Sequence, residues 1–172
     1  MNEKRYIAVT QYIQSRPFLD WLVKICYYLL PYLVGAVYFA VIIYLIAVDA
    51  LEGRTYSRLL FAVFGPFTAF AVTSLYRKFC NAQRPYERYE YMPLIARNKA
   101  GEFFPSRHAV SAAAIATACI CVSVPLSVVL GVAALIIAVT RVIAGVHFIK
   151  DVTAGIIAGF GIVWIMFYLI LP

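Results

Sequence analysis

Charge is what this chain has least of. Only 13% of its 172 residues are Asp, Glu, Lys or Arg, against 64% hydrophobic. A soluble domain cannot cover itself with so little charge, so the apolar blocks face lipid and the expected fold class is all-α, a polytopic membrane helical bundle. Acidic residues are scarcer than basic ones, 8 against 15, and the resulting net charge of +7 suits anionic headgroups or phosphates. Nothing resembles a soluble nucleic-acid-binding module, so nucleic acid is not an expected partner. The four cysteines, Cys26, Cys80, Cys119 and Cys121, sit in or beside apolar segments without ligand spacing, which predicts free thiols, no disulfide framework and no metal site. There is no solenoid repeat and no low-complexity tract, and the first apolar run begins too late and lasts too long for a cleaved signal peptide. The length permits one domain, residues 1–172.

Residues 1–16 alternate polar and apolar groups at helical spacing (Tyr6, Ile7, Val9, Tyr12, Ile13), too short and polar to span, and predict an interfacial amphipathic helix. From Pro17 to Val48 a nearly unbroken apolar run enters as an amphipathic turn and then crosses over about residues 25–48, kinked near Pro31. Asp49, Glu52, Gly53 and Arg54 make a polar turn. A second span runs from about Leu59 to Tyr76 with a kink at Gly65-Pro66, and a long loop then carries Arg84-Pro85 and a Tyr-rich stretch, 86–91. The run from Ala109 to Thr140 has no charge and would overshoot a bilayer as one helix. Ser123-Val124-Pro125 divides it into spans over about 107–122 and 126–144, with Gly145 placed to stop the second. A fifth span starts around His147 and runs to the C-terminus. The Ala-rich third span and Gly155-x-x-x-Gly159 on the fifth favour close helix contact in lipid.

Five crossings bring three polar clusters to one membrane face: Arg77 with Arg84, then Ser106-Arg107-His108, then Arg141 with His147 and Asp151. Ser106 and the leading N–H groups of the helix after it offer donors to a phosphate, Arg107 adds a cation and His108 a proton. Arg77 and Arg84, seven apart, share a face if their helix continues past Tyr76. His147 and Asp151 are four apart, so the carboxylate can take the imidazole Nδ1–H and leave Nε2 free to attack. Arg141 supplies planar donors suited to phosphate oxygens. Singly, each arginine could be a headgroup anchor and each histidine a hydrogen-bonded bystander. With two histidines in the whole chain, each beside arginines on one face, coincidence is the weaker account.

In order, Arg77-x6-Arg84-Pro85, Pro105-Ser106-Arg107-His108 and Thr140-Arg141-x5-His147-x3-Asp151 resemble the three motifs of the type 2 phosphatidic acid phosphatase superfamily, relatives of the vanadium haloperoxidases. Those motifs read Lys-x6-Arg-Pro, Pro-Ser-Gly-His and Ser-Arg-x5-His-x3-Asp. The resemblance implies that His147 is the nucleophile that forms a phosphohistidine and Asp151 its orienting partner. It implies that His108 is the general acid for the leaving oxygen and later activates water, and that Arg77, Arg84, Ser106 and Arg141 cradle the phosphate. It implies no metal and no cofactor, and typically six spans. The chain departs from the pattern at Arg77 in place of Lys, Thr140 in place of Ser, and Arg107 in place of Gly. Arg107 either adds a contact to a second phosphate or turns to solvent; the first, which favours a diphosphate, is the working hypothesis.

The expected function is a metal-independent integral membrane lipid phosphatase, with undecaprenyl or another polyprenyl diphosphate as the first substrate and phosphatidate or phosphatidylglycerophosphate next. A phosphotransferase would use the same intermediate, and a lipid-headgroup binder or transporter would use the same basic pocket without chemistry. The expected partners are a lipid phosphate and membrane lipids; a homo-oligomer remains open. Thirteen basic residues on the face of the site against two, Arg54 and Arg58, on the other place the site in the cytoplasm by the positive-inside rule. Bacterial members of the family acting on undecaprenyl diphosphate in the cytoplasmic membrane usually face outward, which points the opposite way.

Overall fold

Backbone in lipid has no water to bond, so each apolar run closes its hydrogen bonds internally as a helix. The structure, a computed structural model, describes residues 3–53, 55–80, 83–89, 91–95 and 104–171. The helices are α1 (Glu3–Gln14), α2 (Pro17–Leu51), α3 (Ser57–Phe79), α4 (Pro85–Tyr89), α5 (Arg107–Ala118, continued by a 3-10 turn over Cys119–Cys121), α6 (Val124–Ile143) and α7 (Ile149–Ile170); no strand occurs among the described residues. Four of them, α2, α3, α6 and α7, are long and apolar enough to cross a membrane. The expected all-α membrane bundle is the fold observed.

The remaining expected span, third in chain order, is α5, and it is the shortest. Arg107–Cys121 measures about 22 Å at the helical rise, less than a bilayer core. It lies at the centre of the bundle, packed on α7, α6 and α3, with Ala109, Ala112, Ala113, Ala114, Ala116 and Ala118 all buried. A methyl side chain lets neighbouring backbones come close, and α7 answers with glycine. A Cβ at Gly155 would lie 2.9 Å from both Ala109 Cβ and the Ser106 carbonyl oxygen; one at Gly159 would collide with the Val110 carbonyl oxygen. The small-residue spacing read from the sequence is this α5–α7 contact.

Prolines inside two helices release carbonyls, and both released groups are taken. Pro66 has no N–H for the Ala62 carbonyl, and the Tyr38 hydroxyl of α2 donates to that oxygen at 2.9 Å, tying α2 to α3 near mid-bundle. Pro31 does the same to the Tyr27 carbonyl, with a consequence for the site.

Several boundaries differ from the sequence expectation. α2 is one helix of 35 residues, about 52 Å long, rather than an amphipathic turn followed by a span. Its N-terminal turns carry the Lys24–Asp20 pair (2.6 Å), which keeps the helix soluble beyond the hydrocarbon. Asp49 stands in the last turn of α2, buried, instead of in the polar turn, and is ion-paired with Arg58 of α3; a buried carboxylate needs such a partner. α7 begins at Ile149, so His147 precedes the helix. Gly145 ends α6 with φ +76, the left-handed turn expected of it. Arg54 and residues 96–103 of the long loop lie outside the described residues.

Candidate active site

The first cluster comes together differently from its spacing. α3 stops at Phe79 and Arg84 sits just before α4, so Arg77 and Arg84 do not share one helix face. Both guanidinium groups are nonetheless buried and act electrostatically on the same imidazole, that of His147. Glu87 Oε2 accepts the Arg84 backbone N–H at 3.0 Å at the start of α4.

The second cluster is stitched to the other two through backbone. Arg77 Nη1 donates to the Pro105 carbonyl, next to the cis Phe104–Pro105 peptide, and the Ser106 N–H donates to the Asp151 carbonyl at 3.0 Å. Ser106 is the residue before α5. Its side chain makes no cap bond, and its hydroxyl, fully enclosed, has no hydrogen-bond partner among the described residues. Buried hydroxyls are rarely left so. The first intrahelical bond of α5 runs from Val110 N–H to the Ser106 carbonyl, which leaves the leading N–H groups and the positive end of the helix dipole at this spot.

In the third cluster Asp151 does two things. Its Oδ2 accepts the Phe148 N–H at 2.8 Å, capping α7, and stands 3.4 Å from His147 Nδ1. The second separation is at the long limit of a hydrogen bond, as is common at catalytic contacts before substrate binds. Burial holds the His147 imidazole below its usual pKa; Asp151 opposes that shift, and Arg84 and Arg77 reinforce it. The ring is therefore neutral near pH 7, with Nδ1 engaged by the carboxylate and Nε2 carrying the lone pair. Arg141 is buried at the end of α6, and its carbonyl accepts the His147 N–H at 3.3 Å.

Two adjoining cavities meet at His108. One, of about 250 Å³, is lined by Arg107, His108 and Ser111 and by the apolar Pro31, Val34, Phe70, Ala112, Ile115 and Ile137. The other, of about 230 Å³, is lined by Tyr27, Tyr28, Pro31, Tyr32, His108 and Arg141. Arg107 thus faces a cavity shared with His108. Among the described residues no group of three His, Cys, Asp or Glu side chains could hold a metal ion.

Sequence reading missed the tyrosines. α1 is docked on the bundle through Tyr6, Thr10 and Ile13, all buried, rather than lying free at the interface. The Tyr6 hydroxyl donates to the His147 carbonyl (3.2 Å), Tyr91 donates to the Gly145 carbonyl (2.9 Å), and the two rings stack at 5.5 Å. Burial raises both phenol pKa values, so both remain donors. Tyr27 lies under Arg141, whose guanidinium carbon is 3.7 Å from the ring centroid and whose Nη2 donates to the Tyr27 carbonyl at 3.0 Å. The signals were present but faint: Tyr6, Thr10 and Ile13 keep helical spacing, and Pro31 stands four residues after Tyr27.

The sequence profile of the PAP2 superfamily matches residues 55–171. Among solved structures, Aquifex aeolicus LpxE is similar over 97% of this chain and 94% of its own, with TM-score 0.71 and 23% identity. The PAP2-type phosphatidylglycerolphosphate phosphatase from Bacillus subtilis is similar over 96% of this chain and 84% of its own, with TM-score 0.59 and 19% identity. At these identities the likeness is one of fold. No curated protein matches by sequence.

Proposed function

The chain belongs to the PAP2 superfamily and is a membrane lipid phosphatase of that family, and from this premise we propose that it hydrolyses a polyprenyl diphosphate, undecaprenyl diphosphate first, through a phosphohistidine. The observation that carries the reading is the cavity at His108: a basic end made by Arg107 and His108 continues directly into an apolar lining from four helices. A lipid whose phosphates stay at the basic end can keep its chain against Val34, Phe70 and Ile137.

The positions of the side chains support the following division of roles. His147 Nε2 attacks the terminal phosphorus while Asp151 holds Nδ1–H. Arg77, Arg84, Arg141 and the Ser106 hydroxyl stabilise the charge that builds on the non-bridging oxygens. The bond from phosphorus to the leaving oxygen breaks, and His108 gives that oxygen its proton. His108, now neutral, takes a proton from water as the water attacks the phosphohistidine, and cleavage of the P–N bond frees inorganic phosphate and His147. Cations and a helix N-terminus supply the electrostatics that a metal supplies elsewhere, and no step of this scheme calls for a metal or cofactor.

Arg107 supports the diphosphate over the monophosphate. It lines the cavity with His108, on the side where the leaving group must stand, and there it can bind the phosphate that departs with the lipid.

The test is phosphate release by the purified protein in detergent with EDTA, across undecaprenyl diphosphate, phosphatidate and phosphatidylglycerophosphate, with and without a lipid acceptor. Fastest release from the diphosphate, inhibited by vanadate and lowered at least about a thousandfold in His147→Ala, is expected. Release from none of these lipids would favour a headgroup binder, transfer to the acceptor a transferase, and full activity of His147→Ala would overturn the mechanism.

A further inference from the structure

Arg141 is held by a helix that supplies none of the proposed cradle. Its Nη2 donates to the Tyr27 carbonyl of α2 at 3.0 Å, and its guanidinium lies 3.7 Å over the Tyr27 ring. In a regular helix that carbonyl would accept the N–H of residue 31. Residue 31 is proline, which has no N–H and whose ring pushes against the carbonyl four residues back. The oxygen is therefore released from the helix ladder and turned toward α6, where Arg141 takes it.

Resting on the assignment of Arg141 to the phosphate cradle, we infer that Pro31 and Tyr27 are positioning residues for the reaction. Pro31 frees the carbonyl, the carbonyl fixes one prong of the guanidinium fork, and the Tyr27 ring covers one of its faces. Two constraints on a planar group leave it a single orientation, and the remaining edge is directed at the cavity that Arg141 shares with His108. Both residues lie in α2, outside residues 55–171 that match the family profile. The arrangement also makes specific use of the bilayer. A freed carbonyl in hydrocarbon must find a donor, and Arg141, buried at 2% exposure, needs an acceptor.

The experiment is a double-mutant cycle on the diphosphatase activity and on vanadate inhibition, with melting temperature in detergent as the control for folding. Pro31→Ala restores an N–H that competes for the Tyr27 oxygen; it is expected to lower kcat/KM about tenfold and to weaken vanadate by a similar factor, with melting temperature held or raised. In the Arg141→Ala background, Pro31→Ala should cost far less, because its main effect runs through that guanidinium, with only its small share of the cavity lining left to lose. Tyr27→Phe, which keeps ring and carbonyl, should retain more activity than Tyr27→Leu. Equal losses from Pro31→Ala with Arg141 intact and in the Arg141→Ala background, or wild-type kcat/KM in Pro31→Ala, would overturn the inference. Wild-type activity in Arg141→Ala would overturn the cradle assignment itself, a result separate from the other two.

Discussion

His147 is the residue at which most of the physics converges. As the proposed nucleophile it has to be neutral to attack, and its surroundings favour that: burial first, then the positive fields of Arg84 and Arg77, outweigh the opposing pull of Asp151. The sign of the pH dependence follows. A lowered pKa keeps the nucleophile unprotonated further into acid, so the acidic limb of kcat/KM should fall below the ordinary histidine value of about 6.5. Removing a positive neighbour raises that pKa, so in Arg84→Gln the limb should move to higher pH while the maximum falls; a limb that stays put or moves to lower pH would mean that His147 is not the titrating group. Arg107 carries a second prediction. If it binds the departing phosphate, Arg107→Gly lowers the ratio of diphosphate to monophosphate turnover, by about tenfold for one charge-assisted contact. An unchanged ratio would return Arg107 to solvent. Each residue of the proposed site could be named from the sequence because polar groups are so few in this chain. The carbonyl partners could not, since a backbone oxygen leaves no mark in a sequence unless a proline four residues on releases it.

At the scale of helices, the site is held by close approach between α5 and α7. The Ser106 N–H donates to the first turn of α7, and Gly155 and Gly159 let α7 press on the backbone of α5. That contact sets the distance between the two motifs bearing His108 and His147. Gly159→Leu should therefore lower the melting temperature in detergent and activity together, since overpacking costs about 1–3 kcal/mol. Gly161→Ala on the same helix, where a Cβ meets nothing within 4 Å, should be neutral or stabilising. Thermal inactivation curves of the two variants separate a packing requirement from a general intolerance of α7, and equal loss in both would count against the packing account. The spacing Gly155-x-x-x-Gly159 announced this contact, as did the alanines of α5. The path from Arg77 to Arg84 was misread, because a seven-residue spacing implies one face only while the helix lasts, and α3 ends first.

Across the whole molecule, the ends of the bundle differ in kind. One end gathers Arg77, Arg84, Ser106, His108, Arg141, His147 and Asp151, with α1 strapped over it by Tyr6. The other holds the Asp49–Arg58 pair, in which a carboxylate neutralises the guanidinium. This bears on orientation. Of the thirteen basic residues that the sequence assigns to the face of the site, Arg77, Arg84 and Arg141 are buried and Arg107 lines the cavity; on the proposed function these four are basic for the chemistry and say little about topology. Nine remain, against Arg54 and a paired Arg58. By the positive-inside rule, a bias of that size, carried by short flanks such as Lys4, Arg5, Arg16 and Lys78, predicts that the end of the site and the N-terminus face the cytoplasm, against the outward orientation expected by analogy with undecaprenyl diphosphate phosphatases. A cysteine introduced at Arg88, which is exposed on α4, should then resist a membrane-impermeant thiol reagent in intact cells and react after permeabilisation, with the four native cysteines replaced by alanine or serine. Labelling of intact cells would put the site outside. The arginines would then be explained by phosphate alone, and the remaining nine would require another anionic partner on that face.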